Sequence, residues 1–261
     1  MTSADDNHSP KDQYADQLSA WQNSAVLAHP VNGDLSMRVV DDADNAHWQP
    51  CPIPNTEVRL LEYREGSNPR FTALLRLTPD TRVSNLGFWR KLEALVFQGS
   101  LSLAKQKAKG GSYIRLPDLQ HTLCLNDGTA CWPLEGHLYV AFSGGNYSDK
   151  DSETRLIDTQ SSDAWLPGPS EGINVMPLHV HGSANAMLLQ WTKSTAFQPQ
   201  LDPKGEEILV LSGSLSDERG RYTAGTWIRN PEISWQHWSG TAGTVVLYKT
   251  GHFKSSDGVN E

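Results

Sequence analysis

Residues 197–213 read FQPQLDPKGEEILVLSG. Gln200 and Asp202 flank one residue, a short turn follows, then Glu206, and Gly213 closes the run seven positions later. Alternate residues of a strand face the same side, so Gln200 and Asp202 point together and Glu206 returns toward them from the next strand. A frame of this kind normally displays two histidines around a metal. Here it carries an amide and a carboxylate, and the question is whether the stretch belongs to a metal centre with unusual ligands or to the shell of one.

The chain has 261 residues, a formal net charge of −8, 21 Gly, 15 Pro and 9 Trp. That length allows one or two cores of ordinary size. No apolar run approaches the 18 to 20 residues of a membrane helix, and residues 1–21 lack a basic start followed by an apolar stretch, so neither a membrane partner nor a secretory leader is expected. Three cysteines do not make a disulfide framework, which suits a reducing cytoplasm. The net negative charge repels a phosphate backbone, and Lys105, Lys107 and Lys109 read as a solvated strand or turn, so no nucleic acid is expected as a partner.

The chain repeats itself. MRVVDDADNAHW (37–48) aligns without a gap on TRLIDTQSSDAW (154–165), so Arg38, Asp41 and Trp48 recur as Arg155, Asp158 and Trp165 at an offset of 117. From LLRLTPDT (74–81) and LLQWTKST (188–195) onward the offset is 114, and Gly99, Gly111, Arg115 and Pro117 recur as Gly213, Gly225, Arg229 and Pro231. Two copies of one fold follow. LLRLT, ALVFQGSLS, EILVLSGSLS and TVVLYKT are short β-rich runs between Gly, Pro, Asn and Asp clusters, the spacing of an antiparallel sandwich or barrel. The division read from sequence is a mobile leading segment (1–36) with a short helix around residues 14–21, a degenerate first repeat (37–145), a polar connector (146–153), a second repeat (154–253) and a tail (254–261).

GEEILVLSGSLSDERGRYTAGTWIRNP (205–231) and the closing VVLYKTGHF (245–253) resemble the ChrR-like branch of the cupin superfamily. The second copy carries the likeness directly and the first through the repeat, so the chain resembles a bicupin. The resemblance implies an all-β fold of two tandem double-stranded β-helix (jelly-roll) barrels, each with a mouth able to hold a metal and a small ligand. Its first motif is His-x-His, then Glu, then Gly. Its second is Gly, a Pro six residues on, and a final His. Glu206, Gly213, Gly225 and Pro231 fit that pattern, while Gln200 and Asp202 replace the histidine pair and Gln236 stands at the last ligand position with His237 beside it. His237 enters the pocket only through a bulge or one-residue shift. The fullest second-copy set is thus Gln200, Asp202, Glu206 and His237, oxygen-rich and suited to Fe or Mn rather than Zn.

The first copy offers less. Its ligand positions fall on Leu86, Phe88 and Leu92, with Glu93 one place late and His121 its one imidazole candidate, so a filled apolar barrel is expected. His179 and His181 form a literal His-x-His, but Met176, Leu178 and Val180 alternate with them, which predicts both imidazoles outside the core. A seven-residue insertion after Pro117 places Asp127-Gly128 at a hairpin tip and sets Cys124 opposite Cys131, read as free thiols. Trp235 and Trp238 flank the second motif and either floor an aromatic pocket or pack the barrel. The SDERG turn (216–220) reads as a solvated tip.

Three function classes follow. The first is a non-catalytic, regulatory bicupin that holds a small polar or organic molecule among Gln200, Asp202, Glu206, Trp235, Gln236 and Trp238, with no cofactor. The second is an Fe- or Mn-dependent dioxygenase acting on a diketone or aromatic ketone through Asp202, Glu206 and His237. The third, an anti-sigma factor, requires an N-terminal zinc domain with a cysteine pair, and residues 1–36 contain no cysteine. One imidazole per site is too few to hold a redox metal firmly, which favours binding without chemistry. Edge strands of such barrels are commonly covered by another copy, so a homodimer is expected.

Overall fold

The computed structural model describes residues 20, 23–52, 56–65, 70–77, 82–83, 92–103, 106–116, 123–124, 136–142, 153–182, 184–197, 205–231 and 237–251. Apart from three short 3₁₀ turns and Ala20, the regular structure described is strand, as the β-rich runs predict. The chain forms two compact units.

In the unit that holds most of the second repeat, a seven-stranded antiparallel sheet runs Val39–Asp41, Trp227–Asn230, Glu206–Ser212, Val245–Thr250, Ala184–Trp191, Ile173–His181, Leu166–Pro167. A four-stranded sheet runs Thr195–Phe197, Trp238–Gly240, Ser214–Asp217, Gly220–Thr223. Alternation explains the core between them. Ile208, Val210, Ile228, Val246 and Tyr248 come from the large sheet and meet Phe197, Leu215, Tyr222 and Trp238 from the small one, all buried in one cluster. Gly213 makes the corner from one sheet to the other at φ +70, a left-handed backbone that glycine adopts without strain. A Cβ there would lie 2.7 Å from Cα of Thr244.

The unit that holds most of the first repeat has the same plan. Its large sheet runs Arg155–Asp158, Ser112–Leu116, Leu92–Val96, Gly136–Phe142, Arg70–Leu77, Thr56–Arg64, Gln49–Pro50. Its small sheet runs Arg82–Val83, Leu123–Cys124, Ser100–Leu103, Gln106–Lys109. Ala94, Val96 and Ile114 pack with Val58, Leu75 and Ala108 in a mainly aliphatic core that also holds Tyr63 and Phe71, while the other unit's core is richer in aromatic side chains. Lys107 and Lys109 are exposed around buried Ala108, the solvated strand expected of them.

The compact units do not follow the repeat boundaries. Asn32–His47, which precedes or opens the first repeat, belongs to the second unit, where Val39–Asp41 pairs with Trp227–Asn230. Ser152–Leu156 belongs to the first unit, where Arg155–Asp158 lies beside Ser112–Leu116. The repeated arginines anchor these straps. Arg229, fully buried, donates from Nη1 to the Asn32 carbonyl at 2.6 Å and from Nη2 to the Asp34 and Met37 carbonyls at 2.7 and 3.4 Å. Arg115 donates from Nη1 to the Glu153 carbonyl at 2.7 Å. Composition predicts a mobile start through residue 36, whereas Val26 and Leu27 are buried in the first unit's core and Asn32 onward is held by Arg229. The helix expected around residues 14–21 lies outside the described residues, Ala20 excepted.

Candidate functional site

Glu206 begins its strand on the same face as Ile208 and Val210, so its carboxylate points into the second barrel with no solvent exposure. A buried carboxylate is costly unless it is hydrogen-bonded. Three donors meet it. Asn230 Nδ2 and Trp238 Nε1 donate to Oε1 at 2.7 and 3.0 Å, and the Tyr248 hydroxyl donates to Oε2 at 2.6 Å. Burial pushes the Glu206 carboxyl above the usual carboxylate range. The bonds from Tyr248, Asn230 and Trp238, and the charge of Arg38, pull it down without cancelling that rise. Burial, and then the Glu206 charge, hold the Tyr248 phenol well above its ordinary value, so it stays a donor.

An aromatic shell surrounds the carboxylate. Trp191 meets Phe197, and Phe197 meets Tyr248, edge-on at centroid distances of 6.4 Å in both cases. Trp238 meets Tyr222 at 6.1 Å. Gly240 permits this packing, since a Cβ there would sit 2.5 Å from the Trp191 indole. The Tyr222 hydroxyl donates to Asp217 Oδ1 at 2.8 Å. Arg38 Nη2 donates to Asp217 Oδ2 at 2.7 Å and to the Tyr222 oxygen at 2.9 Å. Asp217 also accepts the Arg219 and Gly220 amides, so the supposedly solvated SDERG tip contains a buried carboxylate that fixes the turn. Asp217 directly precedes the Glu218-Arg219 turn on the inward face, which the charged sequence of the tip concealed.

The first unit serves as an internal control. At offset 114 Glu206 falls on Leu92, Asn230 on Leu116, Asp217 on Leu103 and Tyr222 on Ala108. Strand register aligns Tyr248, opposite Ile208, with Val140, opposite Ala94. It likewise aligns Trp238 with Leu123. Each of these six polar or hydrogen-bonding residues therefore has an apolar counterpart in a unit of the same plan. The network is not what this fold requires in order to form.

The other site residues are placed as follows. Trp238 is buried and donates to Glu206, a role that its reading as a pocket floor did not include. His237 is exposed, with Nδ1 3.8 Å from Glu218 Oε1, and makes no bond to Glu206. Glu93 stands on the opposite face from interior Ala94 and Val96 and accepts the Tyr113 hydroxyl at 2.6 Å. Its counterpart is Glu207, which accepts Trp227 Nε1 at 2.9 Å on the outer face, and this is why Glu93 looked one place late. Gln200, Asp202, Trp235, Gln236 and His121 lie outside the described residues, as does the Cys124–Cys131 hairpin beyond Cys124. Phe88 and Leu86 lie outside them too.

The expectation that both His179 and His181 sit outside the core is corrected for His179, which is 3% exposed. A bulge between Pro177 and His179 breaks the alternation, so Leu178 and His179 are buried in succession while Val180 is 58% exposed. His179 and His181 stack with ring centroids 6.4 Å apart.

Among the described residues no three His, Cys, Asp or Glu side chains converge on a point. The donor set around Glu206 does not suit a divalent cation, because the amide, indole and phenol groups present hydrogen rather than lone pairs toward the carboxylate. No helix among the described residues is long and apolar enough to cross a membrane.

The ChrR Cupin-like domain family matches residues 36–138 and 152–254. No protein of curated description matches the sequence. Among solved structures, the fold is similar to a protein of Nostoc punctiforme assigned as a dioxygenase (TM-score 0.65, 15% identity, 85% of each chain covered). It is similar to a protein of Pseudomonas aeruginosa assigned as glyoxylate-induced (TM-score 0.66, 11% identity, 85% of this chain and 92% of that one). It is also similar to the protein Ylba of Escherichia coli (TM-score 0.61, 12% identity, 88% and 98% covered). At these identities the likeness is one of fold alone. With two matched repeats and two jelly-roll units, the chain belongs to the ChrR cupin-like family as a bicupin.

Proposed function

We propose that the protein is a non-catalytic bicupin whose second barrel binds a small polar or organic molecule in a regulatory role, without a metal cofactor. One observation carries this reading. The second barrel keeps a buried polar network around Glu206 whose members fall on apolar residues at the equivalent positions of the first repeat. Buried polar groups cost free energy, so their presence at positions that the first copy fills with apolar residues speaks for a use beyond folding. Three of the four lone-pair positions of the Glu206 carboxylate are taken by these donors, which speaks against the Fe- or Mn-dependent dioxygenase as the use. The first barrel then serves as support. Self-association and a cytoplasmic setting belong to the same reading. The outer strands of the second unit's large sheet present exposed Val40 and Leu166, apolar edges that a second copy would cover.

Thermal denaturation with a panel of small ketones and organic acids tests the binding role, on protein whose Fe and Mn content has been measured beforehand. A rise in midpoint in metal-free protein, reduced in Glu206→Gln, supports it. Firmly held Fe or Mn that is lost in Glu206→Gln brings back the dioxygenase.

A further inference from the structure

The strap Asn32–His47 brings more than an edge strand to the second unit. Arg38 lies within the first matched repeat, yet its guanidinium reaches Asp217 and Tyr222, and its carbon centre lies 5.7 Å from the Tyr222 ring centroid. Tyr222 in turn packs edge-on against Trp238, whose indole donates to Glu206. The repeat again supplies a control. Arg155 occupies the place of Arg38 at offset 117, but Leu103 and Ala108 replace Asp217 and Tyr222 in the first barrel, and Arg155 pairs with Glu153 at 2.9 Å. The arginine is thus present in both copies, while its inward partners occur only in the barrel that has the interior carboxylate.

We propose that Arg38 is a positioning residue of the second barrel's site, supplied from outside the second repeat, which holds Tyr222 against Trp238, the indole that donates to Glu206. The site is then incomplete in the second repeat alone, and any force that lifts the strap is felt at Glu206. The inference rests on the Glu206 network being the functional interior. The groups that face Glu206 are Tyr248, Asn230 and Trp238, with Arg38 beyond them. Those that face Arg38 are Asp217 and Tyr222.

The test is the pH profile of thermal stability of the full chain, with Arg38→Met and Arg38→Lys made both in the parent and in Glu206→Gln. Arg38 favours the ionised carboxylate, so its removal raises Glu206 further. A raised acid loses its stabilising contribution as pH climbs through its folded value. The midpoint deficit of Arg38→Met is therefore expected to widen between acid and neutral pH, by about 3 °C. Arg38→Lys restores the profile, and in the Glu206→Gln background the widening is smaller by the share that acts through Glu206. Asp217, which touches Arg38 in both backgrounds, is subtracted by that comparison. A deficit that follows the same pH profile in both backgrounds overturns the inference and reduces Arg38 to a tie for the hairpin. That outcome is separate from the metal measurement on which the binding reading stands or falls.

Discussion

Glu206 and Leu92 hold the same place in two sheets of one plan. Each opens its strand, and each pairs with the end of the following arginine-bearing strand, Glu206 with Asn230 and Leu92 with Leu116. The fold accepts either a carboxylate–amide pair or two leucines there, so the stability of the second barrel separates into a part due to the fold and a part due to the network.

Removing one member of the network is expected to cost more than removing it in concert. Glu206→Ala strands three buried donors and loses about 3 kcal/mol. The combined Glu206→Leu, Asn230→Leu, Tyr248→Val chain, which copies the first barrel, loses less than the sum of its single variants. Chemical denaturation of the singles and the triple measures this coupling.

Glu206→Gln changes the pH dependence with a definite sign. Burial raises the folded carboxyl above its unfolded value. Its contribution is intact below the ordinary glutamate range, about 4.3, and is lost as pH rises through the folded value. The amide carries no such penalty, so its stability relative to the parent should increase from acid to neutral pH.

Tyr248→Phe removes the one donor on Oε2 among the described residues and leaves ring packing in place. The carboxyl rises further, so the expected loss of about 2 kcal/mol at neutral pH shrinks in acid. Equal losses at both pH values would mean that the bond does not act through the charge of Glu206.

Arg229→Met leaves the strap carbonyls of Asn32, Asp34 and Met37 without their donor. Faster amide hydrogen exchange is expected at Val39–Asp41 and along Trp227–Asn230, their partners in the sheet. Exchange along Leu92–Val96, in the other unit, should be unchanged.

Gly213→Ala is expected to cost about 1 to 3 kcal/mol, because alanine must take φ +70 and its methyl meets the Thr244 backbone. Its counterpart Gly99 has φ +83 and the same conformational demand.

Much of this was legible in the chain. The recurrence of Gly99, Arg115 and Pro117 as Gly213, Arg229 and Pro231 gave the twin barrels, since a repeat preserves what every copy of a fold needs. Glu206 and Trp238 both stand among the candidate pocket residues read from the sequence. Their bond was not, because Nε1 of Trp238 reaches Glu206 across the space between two sheets, and no spacing along the chain encodes that distance. The bulge at Pro177 and His179 shifted the alternation on which the surface reading of His179 relied. Arg38 aligned with Arg155 as a mark of the repeat, and only the strap's pairing with Trp227–Asn230 showed that it serves the second barrel. Of the oxygen-rich set Asp202, Glu206 and His237, Asp202 lies outside the described residues and the other two are engaged elsewhere. His237 turns outward to Glu218, and Glu206 is already engaged by neighbours from three strands.

The central claim is that the protein's own hydrogens, rather than a cation, satisfy the Glu206 carboxylate. Elemental analysis of the full chain, purified without chelator and again after exposure to Fe(II) and Mn(II) with desalting, tests it most directly. Only trace metal is expected in the parent, with no change in Glu206→Gln. Stoichiometric Fe or Mn that survives desalting and disappears in Glu206→Gln would contradict it.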